Sequence, residues 1–212
     1  EPVSPSPSPV LLWLHGGGYV LGRPEQDDAL CSANALDLGC VLVSVDYRLA
    51  PETPFPGPLE DCYAALLWLL EHADALGLDR TRIALGGASA GAGLTAGLAQ
   101  LVRDRGSFKP VLQLLVYPML DDRTVLREDL AAEKFPVWSF ESNRFGWQAY
   151  LGQAPGAAHL GAPAVPARCT NLTGLCPAWV GVGTRDLFYD EDLHYAARLQ
   201  SAGVACAVDV VE

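Results

Sequence analysis

Apolar and polar positions in this chain follow two alternating rhythms. Short apolar runs predict strands at Val10–Leu14, Cys40–Val45, Arg82–Gly86, Val111–Tyr117, Ala178–Gly183 and Cys206–Val211. The run from Cys40 is unbroken, as in a strand covered on both faces. Between the runs, the pattern predicts helices over Asp27–Leu38, Leu59–Leu76, Ala90–Arg105 and Asp190–Ala202. In Leu59–Leu76 the apolar residues Ala65, Leu66, Leu69 and Leu70 recur at helical spacing, and Glu60 and Asp61 suit its first turn. Alternation of this kind predicts an α/β fold with a mostly parallel sheet flanked by helices. One interval breaks the rhythm. Residues 120–176 hold no convincing strand and carry Trp138, Phe140, Phe145, Trp147 and Tyr150. Lying after a strand's carboxyl end, this helical insertion is expected over the functional edge of the sheet, as a lid or as a helix packed on the core.

Composition narrows the function classes. The 212 residues suffice for one domain spanning 1–212, with Glu1–Pro9 as a flexible Pro-Ser lead-in. A net charge of −11 argues against nucleic acid as a partner and against an anionic membrane surface. No apolar run reaches the length of a membrane span. The start lacks the basic and apolar regions of a signal peptide. Six cysteines stand at 31, 40, 62, 169, 176 and 206, with no C-x-x-C pair that would suggest zinc. They read as mostly reduced, buried thiols, and hence as a cytoplasmic origin, although an even count also fits disulfides.

The chemistry centres on Gly87-Ala88-Ser89-Ala90-Gly91, a G-x-S-x-G match between a predicted strand and a predicted helix. Such a turn is too tight for side chains at its flanks, so glycines stand there. It lifts the serine hydroxyl clear of the sheet, with the amides of the following helix above it. A second segment, His15-Gly16-Gly17-Gly18, follows directly on Val10–Leu14. Its bare backbone offers N–H donors for the negative charge that grows on a carbonyl oxygen during acyl transfer. The amides of Gly17, Gly18 and Ala90 are the expected oxyanion donors. His15 is expected to brace the glycine loop, because the base of such a serine lies downstream in this chain order. The bland alternative is a glycine-rich turn that packs a helix on a strand.

Taken together, the motifs resemble the hormone-sensitive-lipase-like, or bacterial family IV, carboxylesterases of the α/β-hydrolase fold. The resemblance rests on His15-Gly16-Gly17-Gly18, Tyr47-Arg48-Leu49-Ala50-Pro51-Glu52, Phe55-Pro56 with Glu60-Asp61, and the serine elbow. Tyr117-Pro118 and Gly183-Thr184-Arg185-Asp186-Leu187 with Asp190-Glu191 extend it from about Val10 to Val211. It implies hydrolysis of small-molecule carboxylic esters, short acyl chains and no cofactor. Two positions depart from the pattern: Ala88 where the family carries Asp or Glu, and Ala92 where it carries Gly. Altered packing is the expected result. Family members also carry an N-terminal helical cap and further strands ahead of the glycine loop, so the chain reads as truncated at both ends.

Asp186 follows the strand Ala178–Gly183, where the order serine, acid, histidine calls for the acid. Its expected task is to orient and stabilise an imidazolium; the alternative is a helix cap. Asp190 is the second candidate, more suited to capping or bracing. By resemblance, the histidine comes about thirty residues after the acid, in a loop past the last strand and therefore beyond Glu212. His72 and His159 precede Asp186, and His194 follows too closely within a predicted helix. Without a base the serine is a weak nucleophile, so residues 1–212 alone are expected to be nearly inactive. Two further readings stay open: a ligand-binding protein on the same fold, and an amidase or deacetylase. The last strand is expected at a sheet edge, where it could pair two copies into a homodimer. Arg48 is expected to pair with Glu52 or Asp61, and Trp13 and Trp68 to pack in the core.

Overall fold

A computed structural model describes residues 6–212. Six parallel strands form one sheet: β1 (Ser8–Leu14), β2 (Val41–Val45), β3 (Leu78–Ala88), β4 (Gln113–Val116), β5 (Ala178–Gly183) and β6 (Cys206–Val211). Their order is β2-β1-β3-β4-β5-β6, which leaves β6 at one edge. The helices are α1 (Asp28–Leu38), α2 (Gly57–His72), α3 (Ala90–Arg105), α4 (Glu128–Ala131), α5 (Phe140–Leu151) and α6 (Tyr189–Ser201). Side chains of β1 alternate between two cores. Val10, Leu12 and Leu14 join the large core under α2, α3 and α6, and Leu11 and Trp13 meet Cys31 of α1 on the other face. The indole N–H of Trp13 donates to Asp27 Oδ2 at 2.8 Å, which satisfies its one polar atom in that cluster.

The central helix α3 is buried almost all round, which its small residues permit. A Cβ on Gly93 would sit 2.2 Å from the Met119 carbonyl oxygen, and one on Gly97 2.8 Å from that of Pro163. The close approach of backbones, rather than an amphipathic stripe, fixes this helix against the elements around it.

Several expectations are corrected. Ser8 and Pro9 already belong to β1, so the lead-in does not reach residue 9; residues 1–5 lie outside the described part. The strand read from Arg82 begins at Leu78, because the charged stretch Asp79–Arg82 masks its start; there Arg82 donates to the Pro7 carbonyl at 2.6 Å. The helix read to Leu76 stops at His72. Trp68 is not core. It is half-exposed at 51% and stacks on His72 with ring centroids 4.5 Å apart. Arg48 chooses Asp61, with a bidentate pair at 2.8 Å on each arm. All six cysteines are free thiols, four of them buried. Among the described residues no helix is long and apolar enough to cross a membrane.

The interval 120–176 carries no strand. Its aromatics divide between two jobs. Phe140, Trp147 and Tyr150 are buried, and Tyr150 stacks on Tyr19 at 4.1 Å. Phe145 is 58% exposed.

Candidate active site

Strand β3 runs straight into the elbow, and α3 starts at Ala90. Ser89 takes φ 55° and ψ −120°, a conformation that costs a non-glycine residue about 1–3 kcal/mol. Three backbone hydrogen bonds hold it there. Its N–H donates to the Val116 carbonyl at 2.9 Å, and its carbonyl accepts from the amides of Gly93 and Met119, each at 3.0 Å. The flanking glycines are dictated by backbone contact. A Cβ on Gly87 would lie 2.6 Å from the Gly91 carbonyl carbon, and one on Gly91 2.0 Å from the Leu14 oxygen. Ser89 itself remains partly exposed.

The glycine loop meets the elbow at Gly16, where a Cβ would stand 3.5 Å from Ser89 Cβ and 3.1 Å from the Ala88 oxygen. Gly17 and Gly18 adopt φ 128° and 59°. A Cβ on Gly17 would collide with the Leu21 oxygen at 1.9 Å, and one on Gly18 with the Trp138 ring at 2.2 Å. Among the described residues, the amides of Gly17, Gly18 and Ala90 donate to no protein group. Ala90 is the first residue of α3, so its amide has no intrahelical partner by construction. His15 is fully buried and braces this loop. Its Nδ1 lies 2.8 Å from the Gly16 carbonyl, the Tyr47 hydroxyl donates to the His15 carbonyl at 2.6 Å, and the two rings stack at 4.2 Å. Tyr19, directly after the glycines, donates to the Met119 carbonyl at 3.0 Å. Through Tyr19 the aromatics of α5 support the loop, a role that its position next to the glycines hinted at.

Asp186 lies in the turn after β5, at the same carboxyl edge. Burial pushes its carboxyl above the ordinary range, against the pull of the Phe188 amide, which donates to Oδ1 at 2.9 Å. Strands β3 and β5 are separated by β4, so the two ends stand about 10 Å apart at ordinary strand spacing. No histidine among the described residues hydrogen-bonds Ser89 or Asp186. His15 is committed to the loop, His72 bonds the Trp68 carbonyl, and His159 bonds Gln153. Asp190 points elsewhere and pairs with Arg127 at 3.2 Å, which makes it a loop brace. A cleft of about 230 Å³ runs beside the acid, between Phe135–Trp138 and Gly183–Leu187, with Val211 and Glu212 at its end. Trp138 joins this cleft to the glycine loop through its contact with Gly18.

A strained serine, donor amides and a carboxylate at one sheet edge are the parts that acyl transfer uses. Residues 11–212 match the model of a family described as alpha/beta hydrolase fold. The chain belongs to the α/β-hydrolase family. Its relatives within that family are the esterases that the motifs resemble. Esterase LipI of Mycobacterium tuberculosis is 38% identical over 206 residues, which cover 95% of this chain and 62% of that protein. The carboxylic ester hydrolase LipN of the same organism is 39% identical, covering 93% of this chain and 54% of its own length. Among solved structures, a bacterial heroin esterase superposes with a TM-score of 0.93 at 42% identity, covering 98% of this chain and 66% of that one. The chain thus spans about three-fifths of the length of the curated relatives it matches.

Proposed function

We propose that the protein carrying this chain is a serine carboxylesterase that cleaves short-chain esters of small molecules. Ser89 Oγ attacks the ester carbonyl, and the amides of Gly17, Gly18 and Ala90 receive the oxyanion. A histidine from outside residues 1–212 takes the serine proton and returns it to the leaving alcohol, and Asp186 orients that ring. Water then hydrolyses the acyl-Ser89 ester with the same histidine as base. One observation carries the reading: a serine held in a strained, partly exposed turn is followed by the free first amide of α3, and the loop that meets it at Gly16 carries two more amides without protein partners. Backbone amides beside a packed core are otherwise almost always paired, so the free Gly17 and Gly18 amides support a ligand oxygen at this loop, with the first amide of α3 available to share it. The names of the three relatives given above, an esterase, a carboxylic ester hydrolase and a heroin esterase, agree with it.

The test is hydrolysis of 4-nitrophenyl butyrate by the full-length protein. The wild type is expected to turn the ester over, and Ser89→Ala to lower kcat by about 10⁴-fold or more. Asp186→Asn is expected to cost a similar factor, about 10⁴, because the ring loses its orienting partner. Full activity in Ser89→Ala contradicts the proposal.

A further inference from the structure

Glu191 stands in the first turn of α6, five residues after Asp186, and is 8% exposed. Its carboxyl group is fully engaged. Oε1 accepts from the amides of Leu120 at 2.7 Å and Asp121 at 3.0 Å, and Oε2 accepts from the Thr124 hydroxyl. All three donors belong to the peptide that leaves β4. One residue earlier in that peptide, the Met119 amide donates to the Ser89 carbonyl, and the Met119 carbonyl accepts from Tyr19 beside the glycine loop. On the other side of Glu191, the Asp192 amide donates to the Phe188 carbonyl at 2.9 Å, and the Phe188 amide donates to Asp186 Oδ1. A run of hydrogen-bonded and chain-adjacent groups therefore joins Ser89, Met119, Leu120, Glu191, Asp192, Phe188 and Asp186.

We propose that Glu191 is a positioning residue, which locks the turn bearing the acid to the peptide that holds the nucleophile. The inference rests on the esterase reading above. A buried carboxyl is a costly way to hold two elements together, since a well-packed apolar side chain serves stability as well or better. The same segment is already tied down by Asp122 and Arg168. What Glu191 adds is direction: three hydrogen bonds fix the orientation as well as the contact of the two turns. Burial pushes this carboxyl up to about 8, so the site holds it at a cost that the three donors only partly offset. The pair Asp190-Glu191 belongs to the motif that the sequence carries, and Asp190 is spent on Arg127.

The experiment uses the full-length protein, with active sites counted by a fluorophosphonate that reacts with the serine. Glu191→Gln keeps the volume but places an N–H₂ group against one of the donors. It is expected to lower turnover of 4-nitrophenyl butyrate per titrated site about tenfold, with KM within twofold and the titrated fraction unchanged. It is expected to slow the labelling rate by a similar factor. Arg168→Met serves as the control, expected to lose thermal stability without losing turnover per site. If Glu191→Gln fails to fold, Thr124→Val removes one donor and is expected to lower turnover per site about threefold. Equal turnover per site in wild type and Glu191→Gln, or in Thr124→Val where that variant is needed, overturns the inference and leaves the esterase reading intact. A wild type that is labelled but does not cleave the ester defeats the esterase reading alone, and slower labelling in the variant then still supports positioning. A wild type that neither cleaves nor labels overturns both.

Discussion

At the scale of single residues, the site depends on positions where a side chain cannot stand. Gly18 has a positive φ and faces the Trp138 ring, so Gly18→Ala must move either the loop or the tryptophan. Losing one oxyanion donor typically costs about 10²–10³ in kcat, so Gly18→Ala is expected to fall in that range with little change in KM. A variant with unchanged kcat would remove Gly18 from the donor set. These residues were legible because the chemistry limits them so tightly. Ser89, Gly87 and Gly91 announce themselves by spacing, and the clashes found at 2.6 and 2.0 Å are the reason for that spacing. The alanines at 88 and 92 depart from the family pattern: Ala88 packs against the smaller core and Ala92 is fully buried in α3. Glu191 was visible only as a motif letter. Its three donors lie about seventy residues earlier in the chain, and no periodicity relates two such distant segments.

At the scale of elements, the interval 120–176 is framed by one buried ion pair. Arg168 and Asp122 meet at 2.7 Å, with side-chain exposures of 10% and 0%. Asp122 also accepts from the Gly156 amide at 2.6 Å, and Arg168 donates to the carbonyls of Ala157 and Leu160. Removing one partner strands the other in the interior. Arg168→Met is therefore expected to destabilise the fold by about 3–5 kcal/mol, read as a lower denaturation midpoint in urea. A shift near zero would mean that this pair does not frame the interval. The pattern of aromatics predicted that a helix lies here, but not which rings turn inward. Spacing gives a face only once the neighbour is known, and the neighbour is Tyr19, more than a hundred residues away from Tyr150. The same limit explains the missed edges. Leu78–Arg82 belongs to the strand although its polar residues read as loop: Leu78 pairs with Ser8, and the register then shifts before Val10 meets Ile83, so the exposed polar residues fall at an irregularity that no alternation announces. The strands at Ala178–Gly183 and Cys206–Val211 and the helix at Ala90–Arg105 match their expected bounds, since turn signals and burial coincide there.

At the scale of the whole molecule, acidity should govern stability. Burial raises the carboxyls of Glu191, to about 8, and of Asp192 and Asp186. A group with a raised folded value holds its proton more tightly in the native state. Its contribution is therefore full below the ordinary carboxylate range, about pH 4, and is lost as pH rises towards 8. Asp79 runs the other way. The Thr81 hydroxyl and then Arg82 hold it down at about 2, so its contribution is lost only as pH falls from the ordinary range through that value. The net charge of −11 adds self-repulsion at neutral pH. Tm is thus expected to rise as the buffer is lowered from pH 8 to about 5, and Glu191→Gln to flatten part of that rise. A Tm independent of pH over this window would contradict the burial of these carboxyls. The central claim is chemical, that Ser89 becomes acylated. It is tested most directly by quenching the full-length protein in acid during turnover of 4-nitrophenyl butyrate and mapping its peptides by mass spectrometry. A butyryl adduct on the peptide holding Ser89, absent in Ser89→Ala, is the predicted result; turnover with that peptide unmodified, or with the acyl group on another residue, would contradict the account.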